Sequence, residues 1–144
     1  MTIPDLRLVL YLIGLAIALL PRATWAAEAE TIVNQPDVEW ALCGKDAPWN
    51  ACERAAMHGN PATGTSENMV RFAKGFAFPK HWHVNAEQVV MISGYMLITF
   101  EGGSEQRVRA GGFMYLPPKL PHWGSCPEGC TFYLGIVGPD SYFQ

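Results

Sequence analysis

The chain has 144 residues, 49% of them hydrophobic, with a formal net charge of −3 and four cysteines. That length supplies one hydrophobic core, and the apolar content argues against a disordered chain. The mild acidity, without any basic stripe, excludes nucleic acid as a natural partner.

Leu8 to Leu20 is an unbroken apolar run, preceded by Arg7 and followed by Pro21-Arg22-Ala23-Thr24-Trp25-Ala26. It is shorter than the roughly 20 residues that span a bilayer. Residues 1–26 therefore read as a Sec-type signal peptide, cut after Ala26 or alternatively after Ala29. An uncleaved anchor is the competing reading. No Arg-Arg pair is present, which speaks against a twin-arginine route. Cleavage would leave a periplasmic or secreted protein without a stable membrane anchor. Residues 27–50 form a lead-in segment and loop, and residues 51–144 the folded domain.

Cys43, Cys52, Cys126 and Cys130 all follow the signal segment. An even count in an exported chain points to disulfides. Local pairing, Cys43 with Cys52 and Cys126 with Cys130, is the most economical connectivity. Cys126-Pro-Glu-Gly-Cys130 reads as a hairpin loop with its cysteines opposed. A structural zinc site is the alternative, although no Cys-x-x-Cys occurs.

The domain reads as strands over 52–58, 67–78, 80–83, 87–92, 95–100, 106–109, 113–116, 121–126 and 130–137. Turn signals stand at Gly59-Asn60-Pro61, around Pro79, at Gly102-Gly103, at Pro117-Pro118 and at Pro127-Glu128-Gly129. Many short strands without a helical stripe predict an all-β sandwich or barrel of jelly-roll winding.

His81 and His83, separated by one residue, point the same way from a strand. Glu87 has the same parity, and a later strand carries His122. Three imidazoles and a carboxylate suit a first-row divalent metal and leave positions open for water or substrate. Polar residues at strand ends are the plain alternative. Parity turns Trp82 away from the histidines and places Val89 and Met91 beside Glu87. Phe76, Phe78, Phe113, Tyr115 and Trp123 are candidate pocket walls, with ordinary core positions as the alternative. Tyr95, Tyr115, Arg71 and Lys80 are candidates for orienting a substrate, each with surface pairing as its alternative. His58, just before a turn, reads as a surface residue. Cys126 shares the strand face of His122, which leaves a redox role open for it.

The segment Gly75 to Gly94, GFAFPKHWHVNAEQVVMISG, resembles the first conserved motif of the cupin superfamily, without a spacing error. Gly111 to His122, GGFMYLPPKLPH, resembles the second motif with two departures. Lys119 stands in place of the glycine after the proline, and Cys126 in place of the closing asparagine. The resemblance, to small single-domain bacterial cupins, covers roughly residues 55 to 140. It implies a double-stranded β-helix barrel with His81, His83, Glu87 and His122 as metal ligands. The implied cofactor is one divalent transition metal (Fe, Mn, Zn, Cu or Ni), and a homodimer is the family-based expectation. It also implies a metal-dependent enzyme, dioxygenase-like or of decarboxylase or isomerase type, acting on a small organic molecule. The alternative is a non-catalytic ligand-binding or sensing module whose metal is structural or recruits the ligand. No glycosidase-type carboxylate pair, nucleophile elbow or phosphate loop competes.

Overall fold

A computed structural model describes residues 29–34, 37–46 and 48–144. The signal peptide expected over residues 1–26 lies outside these residues. Ten strands follow in chain order: β1 (Ala41–Leu42), β2 (Cys52–Gly59), β3 (Ser66–Phe72), β4 (Phe76–His83), β5 (Glu87–Phe100), β6 (Gln106–Arg109), β7 (Phe113–Leu116), β8 (His122–Cys126), β9 (Cys130–Ile136) and β10 (Tyr142–Phe143). One turn of 3-10 helix, Trp49–Ala51, precedes β2. Among the described residues no helix is long and apolar enough to cross a membrane.

Every pairing is antiparallel. The strands form one curled sheet in the order β1-β2-β3-β9-β5-β8-β4-β10, with β6 and β7 also pairing with β5. Strand spacing predicted a sandwich or barrel and the motif resemblance a cupin-type one, and the curled sheet is consistent with both. Strand β5 is its seam. Glu87 to Gly94 pair with β9, and Leu97 to Phe100 pair with β8. A bulge at Met91/Ser93 within the first stretch and Gly94 at its end, at φ +70°, bend the strand from one face of the barrel to the other. A Cβ on Gly94 would sit 2.3 Å from the Gly129 carbonyl oxygen, so only glycine fits. Sequence reading split this strand at Gly94; the chain bends there and continues.

Period-two alternation builds the core. Val89 and Met91 face inward, and Val90 and Ile92 outward. Met96 and Ile98 continue the inner face beyond the bend, meeting Phe76, Phe78, Phe132 and Leu116.

Other expectations need correction. The single strand expected over 67–78 is broken at residues 73–75, where Phe76 N donates to Ala73 O and Gly75 takes φ +78°. The turn expected at Pro79 is absent. Pro79 lies within β4 where the pairing with β8 shifts between Phe78 and His81, an irregularity that spares the missing N–H donor. Cys126–Cys130 is a disulfide with Cα atoms 5.7 Å apart, but not across a hairpin. Strands β8 and β9 pair with successive halves of β5 rather than with each other, so the bond spans a corner. Cys43–Cys52 is likewise bonded, Cα to Cα 5.3 Å, and ties β1 to the start of β2. With both pairs closed, no free thiol remains at Cys126 for redox chemistry. Two disulfides suit an oxidising, extracellular environment.

Candidate metal centre

Three strand starts or ends converge here. His81 and His83 close β4, Glu87 opens β5 and His122 opens β8. The register pairs His122 with His81 on one side and with Phe100 on the other. Trp82, between the two histidines, turns the other way and stacks on Phe143 with centroids 4.4 Å apart.

The rings of His81 and His122 lie 4.2 Å apart, His81 and His83 5.0 Å, and His83 and His122 5.8 Å. The three histidines each offer a nitrogen, all within 4.8 Å of one another, and so could hold a metal ion. The Glu87 carboxylate reaches between two of them, Oε1 lying 3.3 Å from His83 Nε2 and Oε2 3.8 Å from His122 Nε2.

Tautomers are fixed from outside the cluster. His81 Nδ1 lies 2.9 Å from Pro79 O, and His122 Nδ1 2.9 Å from Leu120 O. A carbonyl oxygen only accepts, so both Nδ1 atoms carry the proton and both Nε2 atoms keep a lone pair. That is how metal-binding histidines are normally held. His83 differs: its Nδ1 faces Asp140 Oδ1 at 3.2 Å, with the Ser141 backbone also acting on the ring. The donor set and its outer supports fit a divalent first-row cation.

Burial governs the electrostatics. It pushes His81 down to about 4, helped by the neighbouring His122 and His83 and opposed by the Pro79 carbonyl. His122 falls to about 4 by burial, with His83 adding to the effect. Burial also raises Glu87 to about 7, against the pull of His83. Burial would depress His83 too, but Asp140 and Glu87 outweigh it and its pKa rises. Asp140 is lowered despite its burial, by its contacts with His83 and Arg54.

The cluster opens on a cavity of about 580 Å³, within the range of small-molecule sites. Its walls are largely apolar, with Val70, Phe72, Met96, Ile98, Phe132 and Leu134 among them. Phe78 and Val89 line it as expected. Phe76 and Met91 belong to the core instead. Phe113 and Tyr115 are exposed on the outer face, because β7 pairs them with Val90 and Gln88. Trp123 lies under Lys80, 5.7 Å from Nζ to the ring centroid.

None of the proposed substrate-orienting groups lines the cavity. Arg71 bonds Glu53 and lies over Trp40, Lys80 pairs with Glu101, and Tyr95 lies under Arg107. Tyr115 points to solvent. His58 is exposed, away from the cluster. The polar residues that do line the cavity include Arg54, Asp140 and Tyr142, none of which was singled out in the sequence. Arg54 and Asp140 are 86 positions apart, so no local spacing could signal the pair.

A family described as the ChrR cupin-like domain matches residues 28–137. No curated protein matches the chain. Among solved structures, an RmlC-like cupin from Shewanella frigidimarina is 18% identical, over 76% of this chain and 92% of its own, at TM-score 0.64. The polyketide cyclase RemF from Streptomyces resistomycificus is 15% identical, over 81% and 85%, at TM-score 0.69. KdgF from a Halomonas species is 18% identical, over 78% and 94%, at TM-score 0.59. At these identities the likeness is one of fold.

Proposed function

The chain belongs to the family of ChrR cupin-like domains, and from that premise we propose an exported, metal-dependent cupin enzyme that acts on a small organic molecule. The observation that carries this reading is the buried His81, His83 and His122 cluster, with Glu87 at its edge, opening on an apolar cavity. Those four side chains hold the cation. When bound, it supplies Lewis acidity or oxygen activation. Around it, the apolar walls exclude water and seat the carbon skeleton of the substrate. The Nδ1 bonds of His81 and His122 keep their Nε2 atoms turned inward. Residues 1–26 direct export, in keeping with the two disulfides. The reaction is of oxygenase, decarboxylase or isomerase type, on a compound able to chelate a metal.

One observation favours a non-catalytic ligand-binding module instead. Apart from exposed Glu39, the charged groups lining the cavity are engaged with one another, Arg54 with Asp140, Asp140 with His83 and Glu87 with His83. Among the described residues, that leaves exposed Glu39 as the cavity-lining carboxylate outside this network.

Metal-loaded protein given a panel of small chelating acids, diketones and catechols separates the two readings. The enzyme reading expects turnover of at least one class, with oxygen uptake if the chemistry is oxidative. Tight binding of a panel member, without its consumption under air or argon, would overturn it.

A further inference from the structure

Three buried side-chain atoms without a hydrogen-bond partner belong to one contiguous group: Arg54 Nη2, Asp140 Oδ1 and His83 Nδ1. The group begins on the barrel floor. Asn68 is fully buried and fixed, its Nδ2 donating to Ser66 Oγ at 3.0 Å and to Leu134 O at 3.2 Å. Its Oδ1 accepts from Arg54 Nε at 2.9 Å. Arg54 Nη1 then donates to Asp140 Oδ2 at 2.5 Å. Asp140 Oδ1 faces His83 Nδ1 at 3.2 Å, a close contact between carboxylate and imidazole.

The contrast with the other two histidines is chemical. His81 and His122 take their outer partner from a carbonyl two residues back along the same chain segment. His83 takes a carboxylate from the far end of the chain, in a strap that follows β9. The strap is tied down along its length. Gly138 N donates to Thr65 Oγ1, Asn85 Nδ2 to Pro139 O and Asp140 N to Pro61 O, and Tyr142 pairs with His83 in the sheet. It also lies beyond residues 28–137, where the family match ends.

A half-buried ion pair that leaves several atoms unsatisfied is a poor device for stability alone. A carboxylate behind a ligating imidazole is a good device for fixing its tautomer and raising its basicity.

We propose that Asp140, held in place by Arg54, is a positioning residue for His83. It keeps the proton on Nδ1, so that Nε2 offers its lone pair beside Glu87, and it thereby sets metal affinity. The inference rests on the metal-site reading above, and its loss is expected to weaken binding about 10- to 100-fold.

The test compares wild type, Asp140→Asn, Arg54→Gln and the double variant. Cobalt(II) affinity is measured by chelator competition, beside the visible cobalt spectrum and the thermal midpoint. An asparagine can turn its amide toward Nδ1 and favour the wrong tautomer. Asp140→Asn should therefore weaken binding about 10- to 100-fold and shift the cobalt bands. Arg54→Gln should weaken it less, and the double variant should match Asp140→Asn, because Arg54 acts only through the carboxylate. The double variant removes both charges, which provides a folded sample if a lone, half-buried Arg54 proves too costly.

Affinity within about twofold of wild type and an unchanged spectrum, beside a lowered midpoint, would make the strap a mere clamp and overturn the proposal. Imidazole nitrogen shifts of His83 in metal-free protein, at a pH where the ring is neutral, decide the matter without metal. Wild type should carry the proton on Nδ1, and Asp140→Asn should gain the Nε2–H form. Identical tautomers would overturn the inference. A wild type that takes up no metal would overturn the metal reading alone.

Discussion

Lys119 occupies a position where a side chain is held against its conformational preference. Among the described residues it is the one non-glycine residue at positive φ, +64°. The turn it makes carries a function, since Lys119 N donates to His83 O at 2.7 Å and so ties the β7–β8 connection to a ligand-bearing strand. The left-handed region costs an L-residue about 1–2 kcal/mol. Replacement by glycine removes that strain but adds about 0.5–1 kcal/mol of backbone entropy lost on folding. The side chain is exposed, so little packing is lost. Lys119→Gly should then stabilise the protein by about 0.5–1 kcal/mol, a midpoint rise of a few degrees for a domain of this size. Lys119→Ala keeps the strain and should bring no gain. Thermal or urea unfolding of the three proteins reads the difference. A glycine variant no more stable than the alanine variant would refute the reasoning.

Gly124 approaches β5 so closely that an added Cβ would lie 2.2 Å from Leu97 O and 2.7 Å from Phe78 Cζ. Gly124→Ala should cost at least about 2 kcal/mol in urea unfolding; an unchanged midpoint would contradict the packing. The Cys43–Cys52 bond encloses a short loop, and its removal by paired serine substitution should cost about 2–3 kcal/mol. Trp49, packed 5.0 Å from Tyr142 and 6.1 Å from His81, should report the loosening as a red-shifted fluorescence; the absence of both effects would speak against a loop held by that bond. In metal-free protein, His81 and His122 titrate near 4 when folded and near 6.5 when unfolded, a contribution lost as pH falls through that window. Glu87, raised to about 7, acts in the opposite sense, its contribution being present below 4.5 and lost as pH rises. Between pH 4.5 and 6.5 the unfolded chain therefore holds about one more proton net, and stability should fall by roughly 1.4 kcal/mol per unit of acidification. A flat pH profile in chelator would contradict the burial of these groups.

The barrel and its histidines were legible because their signals are local. Period-two spacing puts His81 and His83 on one face, and Glu87 follows at the same parity within four residues. The disulfide partners were legible for the same reason, being 9 and 4 positions apart. What escaped depended on register or on distance along the chain. The faces of Phe113 and Tyr115 follow from which β5 residues they oppose, and nothing within β7 states that. Pro79 reads as a turn because proline breaks regular pairing; here the ladder skips it. Arg54 and Asp140 meet only because β2 and the final strap close around the same end of the barrel, a consequence of topology with no trace in spacing.

The central claim, that His81, His83, Glu87 and His122 form one metal site, is tested most directly by elemental analysis of the purified chain beside a His81→Ala/His83→Ala variant. The account predicts close to one divalent metal per wild-type chain and none in the variant. A wild type that stays metal-free after exposure to manganese, iron, cobalt, nickel, copper and zinc in turn would contradict it.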